Sequence, residues 1–140
     1  MDQRLAARTT ALRLMFGVTA TLAGLDKFFN VLADWSSYVS PLAAHLLPVS
    51  TDMFMHAVGI IEIVVGVAIL GAAPVIGAYV ASAWLLLVAV NLLVGGLADV
   101  AVRDVVMSVA AFTLARLLEL RSPALAATPA AGHRQQAAAV

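Results

Sequence analysis

An all-α membrane protein, built as a bundle of four transmembrane helices with a short interfacial segment between the first and second, is the fold class this sequence predicts. Three observations carry that reading. Hydrophobic residues make up 63% of the 140 and charged residues only 11%, whereas a soluble domain is about half apolar and about a quarter charged. The apolar stretches are continuous, as in residues 60–70 and 80–90, which fits helices and not the alternating strands of a membrane barrel. A helical span takes roughly 20 apolar residues, so four spans with short connections use nearly the whole chain and leave no room for a soluble catalytic domain.

The first span is expected over residues 10–30, with Arg13 near its start and Asp26 and Lys27 near its end. Residues 1–9 form a short segment ahead of it. The competing reading is a cleaved signal peptide, because Arg4, Arg8 and Arg13 precede an apolar run and Thr21 and Ala23 resemble a small-residue cleavage site. Residues 33–50 are broken by Pro41 and Pro48, too short to span and too apolar to stand free in water. Trp35 and Tyr38 suit the headgroup level, and residues 41–47 suit a short helix; the segment either lies in the interface or caps the bundle. The second span covers residues 51–71, capped by Ser50, Thr51 or Asp52. A tight turn at residues 71–74 puts Pro74 in the first turn of the third span, residues 74–95. After Gly95 and Gly96 the fourth span covers residues 98–120, its flanking charges snorkelling to the interface, which closes a transmembrane domain at residues 10–121. Residues 122–140 are Ala- and Pro-rich and of low complexity, the composition of a disordered tail; His133 within it is incidental.

Eight basic residues balance eight acidic ones, so no clustered basic face points to nucleic acid. With no cysteine, the chain itself carries no disulfide, thiol chemistry or thiolate metal site. Arg4, Arg8, Arg13, Arg116, Arg121 and Arg134 fall on the side of the two termini, against Lys27 and Arg103 on the other. This asymmetry places both termini of a multi-pass membrane protein in the cytoplasm.

With that topology and about 1.5 Å of rise per residue, the polar residues gather in the outer half. Asp26, Lys27 and Asn30 close the first helix, His56 lies a turn into the second, Asn91 a turn from the end of the third, and Arg103 and Asp104 open the fourth. Glu62 lies near mid-membrane, where an ionised carboxylate costs at least ~2.5 kcal/mol. It is therefore expected to be neutral, paired or facing a wet cavity. Gly59 and Gly66 share its helical face and leave room for another helix or a ligand. The ligand or proton site candidates are thus Glu62, Asp26, Lys27, His56, Asn91, Arg103 and Asp104. His56 and Glu62 are out of phase on the helix and form no metal motif, so no metal is assigned. Asp99 gives Arg103 a partner four residues away. Trp84, mid-helix, reads as packing whose indole N–H wants a partner or a flat ligand.

Gly24-Leu25-Asp26-Lys27-Phe28 closing the first span, Gly59-Ile60-Ile61-Glu62 in the second, Gly77-Ala78-Tyr79 opening the third and Arg103-Asp104 opening the fourth resemble the DoxX family of small bacterial membrane proteins over residues 10–120. The resemblance implies a four-helix membrane subunit from a family linked to respiratory quinol oxidases, thiosulfate:quinone oxidoreductases and complexes that handle oxidative stress. It carries over to Asp26, Lys27, Glu62, Arg103 and Asp104; His56 and Asn91 rest on depth alone. Lacking cysteine, this chain departs from any member function that uses a thiol of the subunit.

Two functions follow. The first is an accessory, quinone-proximal subunit of a membrane oxidoreductase complex, with quinone as the candidate cofactor and a partner supplying the redox centre; no catalytic motif makes the chain an enzyme alone. The alternative is a small transport or scaffold subunit whose polar cluster binds a solute or only locks helix packing. In either case the bilayer is one partner and a homo-oligomer or a membrane complex the other, since four helices are too few to enclose a wide path.

Overall fold

The structure, a computed structural model, describes the backbone of residues 3–126 and the side chains of residues 3–121. Every regular element among them is helical: α1 (Gln3–Asp26), a 3₁₀ turn (Trp35–Tyr38), α2 (Pro41–Leu46), α3 (Thr51–Leu70), α4 (Pro74–Val94) and α5 (Ala98–Ala126). The four long helices run up and down, joined at one end by the turn between α3 and α4 and at the other by the strap of residues 27–50 and the turn between α4 and α5. The first is called the termini end and the second the strap end. Among the described residues, two helices, α3 and α4, are long and apolar enough to cross a membrane.

The helices associate as two close pairs, α1 with α3 and α4 with α5, with looser packing between pairs. Glycine makes the first pair close. A Cβ built on Gly24 would stand 2.6 Å from the Gly59 carbonyl oxygen, and one on Gly59 2.6 Å from that of Gly24; two turns lower, one on Gly66 would stand 2.7 Å from the Gly17 carbonyl oxygen. The space left by Gly59 and Gly66 is therefore filled by α1 and not by a ligand. In the second pair, small residues take the same part: Ala78, Ala81 and Ala89 of α4 and Ala101, Ala111 and Ala115 of α5 are buried. Ser82 and Ser108 exchange a hydrogen bond across that seam (Oγ to Oγ 3.0 Å), and the Ser108 hydroxyl also donates to the Ser82 carbonyl at 2.8 Å. A net hydrogen bond of this kind is worth about 0.5–1.5 kcal/mol. Phe16, Val65, Ile69, Leu114 and Leu118 join the two pairs in a core toward the termini end.

Helix ends are satisfied locally. Ser40 and Ser50 cap α2 and α3, accepting from the N–H groups of Ala43 and Met53, and Pro74 occupies the first turn of α4 as its sequence position predicts. Arg13 reaches from α1 to the last carbonyls of α3, donating to Ile69 (2.7 Å), Leu70 (2.7 Å) and Gly71 (3.0 Å).

Three boundaries differ from the sequence reading. Helix α1 begins at Gln3, so residues 3–9 extend the first helix. It ends at Asp26 and not Asn30, because the chain turns through Asn30 in the left-handed region (φ 52°), which Asn tolerates better than most residues, and the Asp26 carboxylate then takes the N–H groups of Val31 and Leu32. At the other terminus α5 continues through residues 122–126, whereas residues 127–140 of the expected tail, with His133, lie outside the described residues.

Candidate functional site

The residue order at the end of α1 builds the site. Asp26 and Lys27 are adjacent, so their side chains leave the helix in different directions. The Asp26 carboxylate turns to the strap and accepts from Val31 N (3.1 Å), Leu32 N (3.0 Å) and Trp35 Nε1 (2.8 Å). The Lys27 side chain turns into the bundle, where its Nζ lies 2.6 Å from Glu62 Oε2 and 3.7 Å from the centre of the Trp35 ring. The lysine side chain is 4% exposed and that of Glu62 17%. Asp26 thus fixes the indole that covers the lysine, and the lysine neutralises the deep carboxylate.

Helix register explains how Lys27, one residue past the end of α1, reaches Glu62 in the middle of α3. Gly24 faces Gly59, and a Cβ on Gly59 would lie 3.1 Å from the Lys27 Cβ. Eight residues of α3 precede Gly59, about 12 Å, but α1 ends two residues after Gly24. Helix α3 therefore projects beyond α1, and Glu62 lies only about one turn below Lys27, within the length of a lysine side chain.

Asn91 of α4 holds the other side of the strap. Its Nδ2 donates to the Tyr38 carbonyl at 2.8 Å, and its Oδ1 accepts from Ser40 N at 3.0 Å. Tyr38 itself packs on the buried cluster of Ala89, Leu92 and Ala101. With Asp26 at one end and Asn91 at the other, residues 31–40 are tied across the bundle, so this segment caps the helices and its aromatic rings are turned inward.

Under the strap, between the two helix pairs, lies a cleft of about 740 Å³. Its lining is largely apolar, including Phe16, Val58, Val65, Ala81, Leu85, Val88 and Met107, and includes Lys27, Glu62, Trp35, Trp84, Asn91, Arg103 and Asp104. Size and lining are those of small-molecule sites, which are mostly apolar with a few placed polar groups. Arg103 also pairs with Asp99 at 3.8 Å, with both side chains more than 70% exposed, a contact worth at most about 1 kcal/mol.

Of the seven candidates read from the sequence, the cleft thus unites Lys27, Glu62, Asn91, Arg103 and Asp104. Asp26 stands behind it, as the anchor of the strap. His56 points elsewhere: its ring stacks on Phe28 (centroids 4.9 Å apart, planes at 3°), and it borders a separate recess of about 150 Å³ with Lys27, Asn30, Ser36 and Asp52, where Ser36 donates to Asp52. Among the described residues no three His, Asp or Glu side chains converge as a metal site requires. Sequence reasoning did not place Trp35 or Ser40 at the site, and it assigned Trp84 to packing. The signal for Trp35 was Asp26 itself, a carboxylate at a helix end with a run of free N–H donors after it.

The chain was compared with models of known protein families, with curated proteins and with solved structures, and none matches.

Proposed function

We propose that this chain is a multi-pass subunit of the bacterial cytoplasmic membrane, DoxX-like, whose four long helices all cross the bilayer and whose cleft serves a quinone beside a partner oxidoreductase. Support for the membrane placement extends beyond α3 and α4. Helix α1 exposes Leu14, Met15, Val18, Leu22 and Leu25, and α5 exposes Val102, Val105, Val106, Val109 and Phe112. Contiguous apolar faces of this extent are costly in water and suited to lipid. The charges also divide by end: Arg4, Arg8, Arg13, Arg116 and Arg121 lie toward the termini end, as the cytoplasmic side of a membrane protein favours.

The observation that carries the ligand reading is the buried Lys27–Glu62 pair in the wall of an apolar cleft. A flat, neutral head fits the volume and the lining, and the lysine ammonium is a donor suited to a carbonyl oxygen. A quinone, when bound, supplies acceptance of two electrons and two protons, the electrons coming from the partner's redox centre. The chain's own contribution is positional. Lys27 and Glu62 set a proton donor and a proton acceptor 2.6 Å apart, the strap keeps water off them, and the Trp35 ring holds the ammonium in place.

The same pair favours the second reading, in which the polar cluster only locks the helices of a transport or scaffold subunit. Replacing both partners, Lys27→Met with Glu62→Gln, separates the two, since it removes the titrating groups while leaving no stranded charge. In native membranes the quinone reading expects normal accumulation of the variant and loss of quinone-linked electron transfer by the complex it joins. Full activity in the double variant would leave only the packing role.

A further inference from the structure

Helix α5 lines the cleft with Val100, Arg103, Asp104 and Met107, a spacing that belongs to one helix face. Asp104 stands in the middle of that face. Of the four charged residues in the lining, Lys27 is matched by Glu62 at 2.6 Å, and Arg103 spends its guanidinium on Asp99 at 3.8 Å, where both side chains are exposed. Asp104 has no such partner: among the described residues its carboxylate accepts no hydrogen bond and makes no ion pair. The residue is half-buried and its oxygens keep accessible surface, so a bound molecule can reach them. It lies six residues into α5, about 9 Å from the strap end. With α5 in the bilayer, an unpaired carboxylate there is costly, and such groups mark the path or the site of a ligand. The rest of the cleft describes the other half of that ligand. Its lining includes Leu42 and Leu46 of α2 and Leu87 and Val94 of α4, all exposed. The cleft therefore opens sideways, between α2 and α4, onto the apolar surroundings of the bundle.

We infer that the cleft takes an amphiphilic amine, its ammonium head on the Asp104 carboxylate and its alkyl tail running out between α2 and α4. This ligand class goes beyond the quinone and rests only on the membrane setting of that reading. An ammonium brings both a donor and the opposite charge, the combination that makes a hydrogen bond strong. An alcohol of the same length brings the donor without the charge, and a fatty carboxylate brings the wrong charge.

The test uses the full chain in dodecyl maltoside, an uncharged detergent, titrated near neutral pH with decylamine hydrochloride, 1-decanol, sodium decanoate and 2-decyl-1,4-benzoquinone, each corrected for uptake by empty micelles. Calorimetry is expected to show decylammonium binding about tenfold tighter, or more, than decanol or decanoate. Asp104→Asn keeps the size and removes the charge, and should weaken decylammonium about ten- to hundredfold, as loss of a hydrogen bond to a charged group does, while leaving decanol unchanged. Arg103→Gln takes away the neighbouring cation and should tighten decylammonium about twofold or more, a gain that a structural role for Asp104 would not produce. Should Asp104→Asn fail to fold, the order of the probes on the parent and the gain in Arg103→Gln decide the matter. Decylammonium that needs Asp104 and displaces the quinone supports both readings. Asp104-dependent amine binding with no binding of the quinone supports the inference and defeats the quinone reading. Quinone binding without any preference for the amine defeats the inference and spares the quinone reading. Decylammonium that binds parent and Asp104→Asn equally, or no better than decanol, overturns the inference, and absence of binding by every probe overturns both.

Discussion

Removing one member of the Lys27–Glu62 pair should cost far more than removing both. The two side chains are 4% and 17% exposed and 2.6 Å apart, so neither is much screened, and taking one partner from a buried pair costs about 3–5 kcal/mol because the other charge is left uncompensated. The two single variants should differ. In Glu62→Gln the ammonium keeps an amide oxygen and the Trp35 ring at 3.7 Å, a cation–π contact worth roughly 0.5–2 kcal/mol, which places this variant near the lower bound, about 3 kcal/mol. Lys27→Met strands a carboxylate and forfeits the ring contact as well, which places it near ~5 kcal/mol. The double variant should return to within ~1–2 kcal/mol of the parent, since a matched neutral replacement leaves no stranded charge. Unfolding by sodium dodecyl sulfate in mixed micelles, followed by circular dichroism, reads these differences directly. Single variants within ~1 kcal/mol of the parent, or a double variant no more stable than the worse single one, would refute the reasoning.

Four further outcomes are expected. Gly24→Ala, whose Cβ would press on the Gly59 carbonyl at 2.6 Å, should lose about 1–3 kcal/mol in the same assay, whereas Gly95→Ala, with its nearest atom at 3.4 Å, should stay within ~0.5 kcal/mol. Asp26→Ala removes the acceptor of three strap donors and should speed hydrogen exchange of residues 31–38 by more than tenfold without a matching change in α4 and α5; unchanged exchange would show that Asp26 does not hold the strap. Arg13→Gln should shorten the protected part of α3 at residues 68–71, because three carbonyls lose their donor, at about 1–3 kcal/mol. Reporter fusions at the C-terminus should be active in the cytoplasm, and activity only outside would reverse the topology.

Helix number, order and most boundaries were legible because they rest on local signals. Ser50 and Pro74 mark helix starts, and the continuous apolar runs of residues 60–70 and 80–90 show at once in the sequence. Convergence of polar residues at one end was legible too, since alternating helix direction sends Lys27, Asn91 and Asp104 to the same layer. What was not legible depended on register and rotamer. Counting residues from helix ends placed Lys27 nearer the outer end than Glu62; only the Gly24–Gly59 contact shows that α3 overhangs α1 and brings the two within one turn of each other. In the same way, the glycines beside Glu62 left open whether a helix or a ligand fills the gap, and close packing of α1 supplies the answer. Asp26 and Asn91 seemed site residues by depth, yet each spends its hydrogen bonds on strap backbone or indole, a partnership between distant segments that no local pattern announces. The Trp84 position was visible in sequence, but its lack of a partner is a property of the packed bundle.

The most direct test of a quinone-proximal membrane subunit is the quinone content of the protein itself. Full-length chain is purified from its native membranes in mild detergent, extracted with organic solvent and quantified by mass spectrometry against an unrelated four-helix membrane protein prepared in the same way. The account predicts close to one quinone per chain. A colourless homo-oligomer with no more quinone than the control would contradict it.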